Sequence, residues 1–212
     1  MNIKVAIADD HPMIIDGVQT LLSNYDHITL SGSYTNGAAL LEGLLHAIPD
    51  VLLLDIQLPD ITGDELAPVI LKRYPGIRIL TLTNFDSSLY ANNMFKRGVH
   101  GYLLKTAKKE VLIEAIEKVY SGGTFIENAM KEKIEQLDFK IKKTVFSKTS
   151  LTPREKEVLQ LIVNGATSQD IADNLFLSIS TVINYRTSIM LKLDVNNTAT
   201  LVKKALTWGL VE

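Results

Sequence analysis

The sequence predicts an α/β unit built on a parallel sheet, followed by a separate all-α unit. Three observations carry this. Short, largely apolar runs (Ile3-Lys4-Val5-Ala6-Ile7-Ala8, Val51-Leu52-Leu53-Leu54, Ile79-Leu80-Thr81-Leu82 and Gly101-Tyr102-Leu103-Leu104) alternate with helical patterns in the first half, as expected of strands buried on both faces. Each run is closed by polar groups of a defined kind: Asp9 and Asp10, then Asp55, Thr83 and Lys105. Beyond residue 150 the apolar spacing is helical throughout.

Parallel sheets of this class form sites beyond the carboxyl ends of their strands, so the residues closing the runs converge on one edge. Asp10 and Asp55 offer hard carboxylate oxygens that suit Mg²⁺ beside a phosphoryl group, with Mn²⁺ a permitted substitute. Asp55, at the tip of the central run, is placed to act as a nucleophile toward phosphorus. Thr83 can donate a hydrogen bond to a phosphoryl oxygen and Lys105 can neutralise another. Singly, an Asp pair after a strand is an ordinary turn and Thr83 an ordinary strand end. Their ordered convergence is what points to a phospho-acceptor.

Ala8-Asp9-Asp10-His11-Pro12, Leu54-Asp55-Ile56-Gln57-Leu58-Pro59-Asp60 with Gly63, Thr81-Leu82-Thr83, and Gly98 through Lys105 occur in this order. Residues 1–120 thereby resemble the receiver domain of a two-component response regulator. The resemblance implies a doubly wound, five-stranded, flavodoxin-like sheet. It also implies that Asp55 accepts a phosphoryl group from a histidine kinase and that Asp9, Asp10, Asp55 and the backbone carbonyl of Gln57 hold Mg²⁺. Thr83 and Tyr102 would form a switch pair. Asn84 departs from the small residue usual after the switch hydroxyl. Gln57 stands where a phosphatase of this kind would carry a second carboxylate, so turnover as an enzyme is not expected beyond slow self-dephosphorylation.

The chain has 212 residues, 46% of them hydrophobic, and no cysteine, which fits two compact domains without disulfides or thiolate metal sites. No apolar run approaches the roughly 18 residues needed to span a bilayer, and the first strand begins at once, so a cytoplasmic protein without membrane contact is expected. Residues 1–120 carry ten Lys and Arg against fourteen Asp and Glu. Residues 121–150 open with Ser121-Gly122-Gly123 and hold six lysines against four acids. They read as a linker, partly helical, with Ile134, Leu137 and Ile141 as a narrow apolar stripe.

Thr152-Pro153-Arg154-Glu155 is a capping box with proline at the first helical position, opening a helix that Asn164-Gly165 ends. Ser168–Leu175 reads as a second helix, and the short turn at Leu177-Ser178 leads into a third over about Ser180 to Leu193. This is a helix-turn-helix. A fourth helix runs from Thr198 to Trp208. Leu151-Thr152-Pro153-Arg154-Glu155, Glu157-Val158-Leu159, Ile171-Ala172, Leu175-Phe176-Leu177-Ser178, Thr181-Val182, Arg186, Lys192-Leu193 and Gly209-Leu210-Val211 make residues 151–212 similar to the LuxR-type DNA-binding domain. The whole chain is similar to NarL/FixJ-class response regulators.

The third helix is expected to read double-stranded promoter DNA. Ser180, Ile183, Asn184 and Thr187 are expected to turn toward the major groove, Asn184 toward adenine and Ile183 toward a thymine methyl. Thr181, Tyr185, Arg186 and Lys192 suit phosphate contacts. By the resemblance, Val202, Lys203 and Leu206 on the fourth helix are candidates for a dimer surface, and phosphorylation would favour a homodimer with active DNA binding. Ile183 and Tyr185 stand where Lys and His are usual, and residues 151–212 hold six basic and six acidic residues. A neutral domain predicts weak monomer binding. It also motivates a competing reading, an interaction module whose helix-turn-helix has weak or lost affinity for DNA.

Overall fold

The structure is a computed structural model and describes residues 2–134, 151–193, 195 and 197–211. Two compact units emerge. In the first, β1 (Ile3–Ala8), β2 (Ile28–Tyr34), β3 (Val51–Leu54), β4 (Arg78–Thr83), β5 (Gly101–Leu104) and β6 (Phe125–Ile126) alternate with five helices: α1 (Pro12–Leu22), α2 (Gly37–Gly43), α3 (Gly63–Arg73), α4 (Ser88–Lys96) and α5 (Lys109–Tyr120).

The strands pair in parallel in the order β2-β1-β3-β4-β5-β6. This is the doubly wound sheet expected, with six strands rather than five. The extra strand, Phe125–Ile126, lies in the stretch read from sequence as linker and pairs with Gly101 and Tyr102. Two residues are too short to show a period, so no pattern announced it. A short helix, α6 (128–134), follows. Ile134 ends the described part of this stretch, while Leu137 and Ile141 of the proposed stripe lie outside the described residues.

Every residue of β3 is buried, because helices cover both faces of the sheet. On one side Val5, Ile7, Leu53 and Leu103 pack with Val18 and Leu22 of α1 and Ile116 and Val119 of α5. Side chains such as these contribute about 1.5–3 kcal/mol each on burial. After the buried Ile28, the edge strand β2 alternates exposed and partly buried positions, as a half-covered strand should.

In the second unit α7 (Pro153–Val163), α8 (Ser168–Leu175), α9 (Ile179–Lys192) and α10 (Thr198–Thr207) surround one core that includes Val158, Leu159, Ile171, Val182, Ile189 and Leu201. The capping box of Thr152 and Glu155 is present in full. A second box, Thr167 with Asp170, caps α8, which starts at Ser168 as read from sequence. Among the described residues no helix is long and apolar enough to cross a membrane.

Candidate functional site

Strand register assembles the carboxyl edge. Ala8 pairs with Leu54 and Leu54 with Thr81, and Thr83 pairs with Leu104. Backbone bonds extend these ladders one residue outward, from Asp55 N–H to Ala8 O at 2.9 Å and from Lys105 N–H to Thr83 O at 2.8 Å. The sequence order of the closing residues thus becomes a spatial cluster.

Lys105 Nζ lies 2.7 Å from Asp9 Oδ2 and 2.7 Å from Asp55 Oδ2. Asp9 and Asp55 are 1% and 3% exposed. Burial pushes the Asp55 carboxyl above its ordinary range, opposed by the hydrogen bond and charge of Lys105 and reinforced by the charge of Asp9. Desolvation works against the Lys105 ammonium, but its bonds to Asp55 and Asp9 prevail and hold it charged.

Asp10 is more exposed, and His11 joins it: Nδ1 lies 2.7 Å from Asp10 Oδ1 and 3.1 Å from Asp9 Oδ1. Asp9, Asp10, His11 and Asp55 each bring one ligand atom within 4.8 Å of the others. One ammonium against two buried carboxylates leaves excess negative charge. This donor set fits a hard divalent cation. Gln57 follows in the loop after β3, which is closed by an antiparallel bridge between Gln57 and Thr62. Sequence reasoning gave His11 no role; its one signal was its place directly after the two aspartates.

Thr83 is wholly buried and Tyr102 nearly so. Thr83 Oγ1 accepts the Phe85 N–H at 3.3 Å, and the Tyr102 hydroxyl donates to the Phe85 carbonyl at 2.7 Å. Both residues therefore hold the backbone of one residue, Phe85, in the β4–α4 turn. Burial pushes the Tyr102 phenol far up, with Asp86 and Asp55 adding to it, so it remains a donor. Asn84 is exposed.

In the helical unit Ser178 caps α9, accepting the Thr181 N–H at 3.1 Å. Ser180 and Asn184 are exposed, and Thr181, Tyr185 and Arg186 partly so. Ile183 and Thr187 are buried, at 7% and 3% exposure, contrary to the expectation that they turn outward. With Met190 they form a second buried stripe, spaced four and three residues apart beside that of Val182, Ile189 and Leu193. The Arg186 guanidinium donates to Thr198 Oγ1 at 3.2 Å.

Lys192 is also more occupied than expected. Its ammonium donates to Glu155 Oε2 at 2.6 Å, while the Ser188 hydroxyl donates to Glu155 Oε1 at 2.7 Å. Glu155 is 4% exposed. Burial pushes its carboxyl up, but the bonds from Lys192, Ser188 and Thr152 outweigh this and hold it below the usual range. On α10, Leu206 and Lys203 are exposed and Val202 partly buried.

Residues 5–117 match the response regulator receiver domain family, and residues 149–205 the bacterial regulatory proteins of the luxR family. The chain is 31% identical to the transcriptional regulatory protein MctR of Rhizobium johnstonii, over 99% of this chain and 96% of that one. It is 33% identical to the oxygen regulatory protein NreC of Staphylococcus epidermidis, over 99% of each. Among solved structures it is similar to RcsB of Salmonella enterica bound to a promoter in the presence of a beryllium fluoride phosphomimetic. That match has 26% identity and a TM-score of 0.64, covering 96% of this chain and 98% of that one. The chain belongs to the response regulators, with a receiver domain followed by a LuxR-type helix-turn-helix domain.

Proposed function

We propose that this protein is a cytoplasmic transcription factor whose binding to double-stranded promoter DNA is controlled by phosphorylation of Asp55 by a histidine kinase. The observation that carries this reading is the Lys105 ammonium held between Asp9 and Asp55 at the sheet edge. A carboxylate needs such a partner to receive a dianionic group.

In the transfer an Asp55 carboxylate oxygen attacks the phosphorus of the kinase phosphohistidine. The P–N bond breaks, and its electron pair leaves with the imidazole, which takes up a proton. Asp9, Asp10, Asp55 and the Gln57 carbonyl would hold Mg²⁺, which supplies positive charge to the phosphoryl oxygens. Lys105 neutralises the product. Thr83, drawn to the acyl phosphate, gives up the Phe85 N–H; with Tyr102 on the carbonyl of the same residue, the β4–α4 turn repacks. The phosphorylated form then favours a homodimer through Val202, Lys203 and Leu206, with Ser180, Thr181, Asn184, Tyr185 and Arg186 toward DNA. A domain of 1–120, a linker of 121–150 and a domain of 151–212 are the units of this scheme, with the sheet drawing Phe125–Ile126 into the first.

The neutral charge of residues 151–212 and the presence of Ile183 where Lys is usual favour a second reading, an interaction module with little DNA affinity. Binding of the purified full chain to sheared genomic DNA with Mg²⁺, with and without beryllium fluoride, separates the two. Tighter, salt-sensitive retention with the mimic, lost in Asp55→Ala, is expected. No retention in either state favours the module.

A further inference from the structure

Asp60 stands outside the ligand cluster, at the tip of the loop between β3 and α3, yet its carboxylate is fully engaged. Oδ1 accepts the Gly37 N–H at 2.8 Å and the Ile61 N–H at 3.0 Å, and Oδ2 accepts the Ala38 N–H at 2.8 Å. Gly37 and Ala38 open α2, more than twenty residues earlier in the chain. This helix already has a cap of its own, since Asn36 accepts the Ala39 N–H at 2.8 Å. The Asp60 bonds are therefore additional, and they join two separate segments.

The contact is close. A Cβ at Gly37 would stand 2.2 Å from Ile61 Cγ2, so a larger residue there would have to displace the Ile61 side chain or move α2 from the loop. The base of the same loop is equally constrained. Gly63 N–H donates to Ile56 O at 2.8 Å, Gln57 bridges Thr62, and a Cβ at Gly63 would stand 2.4 Å from the Asp55 carbonyl oxygen. Fixed at its base beside Asp55 and at its tip on α2, the loop leaves Gln57 little freedom.

We propose that Asp60 is a positioning residue for the phospho-acceptor site: its clasp on Gly37 and Ala38 fixes the loop that carries Gln57, and thereby tightens binding of the divalent cation. The proposal rests on the reading of Asp9, Asp10, Asp55 and Gln57 as the cation site. Supporting groups around a metal commonly govern its affinity by ten- to a hundredfold, roughly, because they remove the freedom that ligands would lose on binding. An exposed carboxylate that only stabilised the fold would alter the unfolding midpoint and leave affinity for the ion alone.

The test is a titration of the full chain with Mg²⁺ alone, followed by amide NMR shifts of Asp9, Asp10 and Asp55, in the unsubstituted protein, Asp60→Ala and Asp60→Asn. Asp60→Ala is expected to weaken Mg²⁺ binding about tenfold and to speed hydrogen exchange at Gly37 and Ala38. Asp60→Asn, which keeps one side-chain oxygen acceptor, is expected to recover most of the affinity. Equal affinity in all three proteins, whatever their thermal midpoints, overturns the role of Asp60 and leaves the cation site standing. If the unsubstituted protein itself shows no shifts at these aspartates, the cation site falls and the proposal with it.

Discussion

The Lys105 ammonium lies 2.7 Å from Asp55 Oδ2, with both side chains almost wholly buried. Removing one partner from such a pair strands the other without solvent, at a cost of about 3–5 kcal/mol. Here a second buried carboxylate, Asp9, would be stranded too. Lys105→Met is therefore expected to lower unfolding stability by about 3 kcal/mol in a chelating buffer and to regain part of it in Mg²⁺, whose charge offsets the same carboxylates. Urea unfolding with and without the ion measures both. Beryllium fluoride binding should be lost in either case.

Asp55 gives the opposite sign. Its carboxyl is raised above the ordinary 3.8, chiefly by burial. A carboxyl raised on folding contributes stability below its unfolded value, and this contribution is lost as pH rises through the folded value. At neutral pH the ionised Asp55 thus opposes folding. Asp55→Asn is expected to raise the thermal midpoint at pH 7 in chelating buffer, with the gain closing as pH falls through the raised folded value toward 3.8. An unchanged or lower midpoint at pH 7 would mean that Lys105 outweighs the burial.

These two residues were legible in sequence because each ends a continuous apolar run, where a charged group has only the sheet edge to occupy. The same logic found Asp9 and Thr83, and the capping box of Glu155 showed in its local Thr-x-x-Glu spacing. It failed where geometry depends on a neighbouring element. Asp60 was quoted within a motif, but its partners Gly37 and Ala38 lie across a crossover, and no local pattern links them. β6 lacked enough residues to show any period.

Thr83 and Tyr102 hold the N–H and the carbonyl of Phe85, on the two sides of its Cα. If this shared grip transmits the state of Asp55, Thr83→Ala should still take up beryllium fluoride while losing the accompanying gain in DNA affinity. Tyr102→Phe keeps the ring but releases a buried carbonyl, costing about 1 kcal/mol, and should weaken the same coupling. Fluorescence anisotropy with duplex DNA, with and without the mimic, gives the coupling directly. Loss of mimic binding in Thr83→Ala would assign this residue to phosphoryl binding alone.

The Lys192–Glu155 pair sets a different expectation for the helical unit. Glu155 joins the start of α7 to Ser188 and Lys192 of α9, and its lowered carboxyl contributes stability at pH above its usual 4.5 that is lost as pH falls through the folded value. Glu155→Gln should cost about 1–3 kcal/mol near neutrality and progressively less in acid. Because the Lys192 ammonium is already bound to Glu155, Lys192→Met should lower stability while leaving the salt dependence of DNA binding almost unchanged. A free phosphate contact would instead reduce that slope by about one. Exposed Asn184 is the comparison: Asn184→Ala should keep stability and relax base choice, by about 1–3 kcal/mol at the base it pairs with. A salt slope reduced by one in Lys192→Met would return that lysine to the DNA backbone and leave Glu155 braced by Ser188 and Thr152 alone.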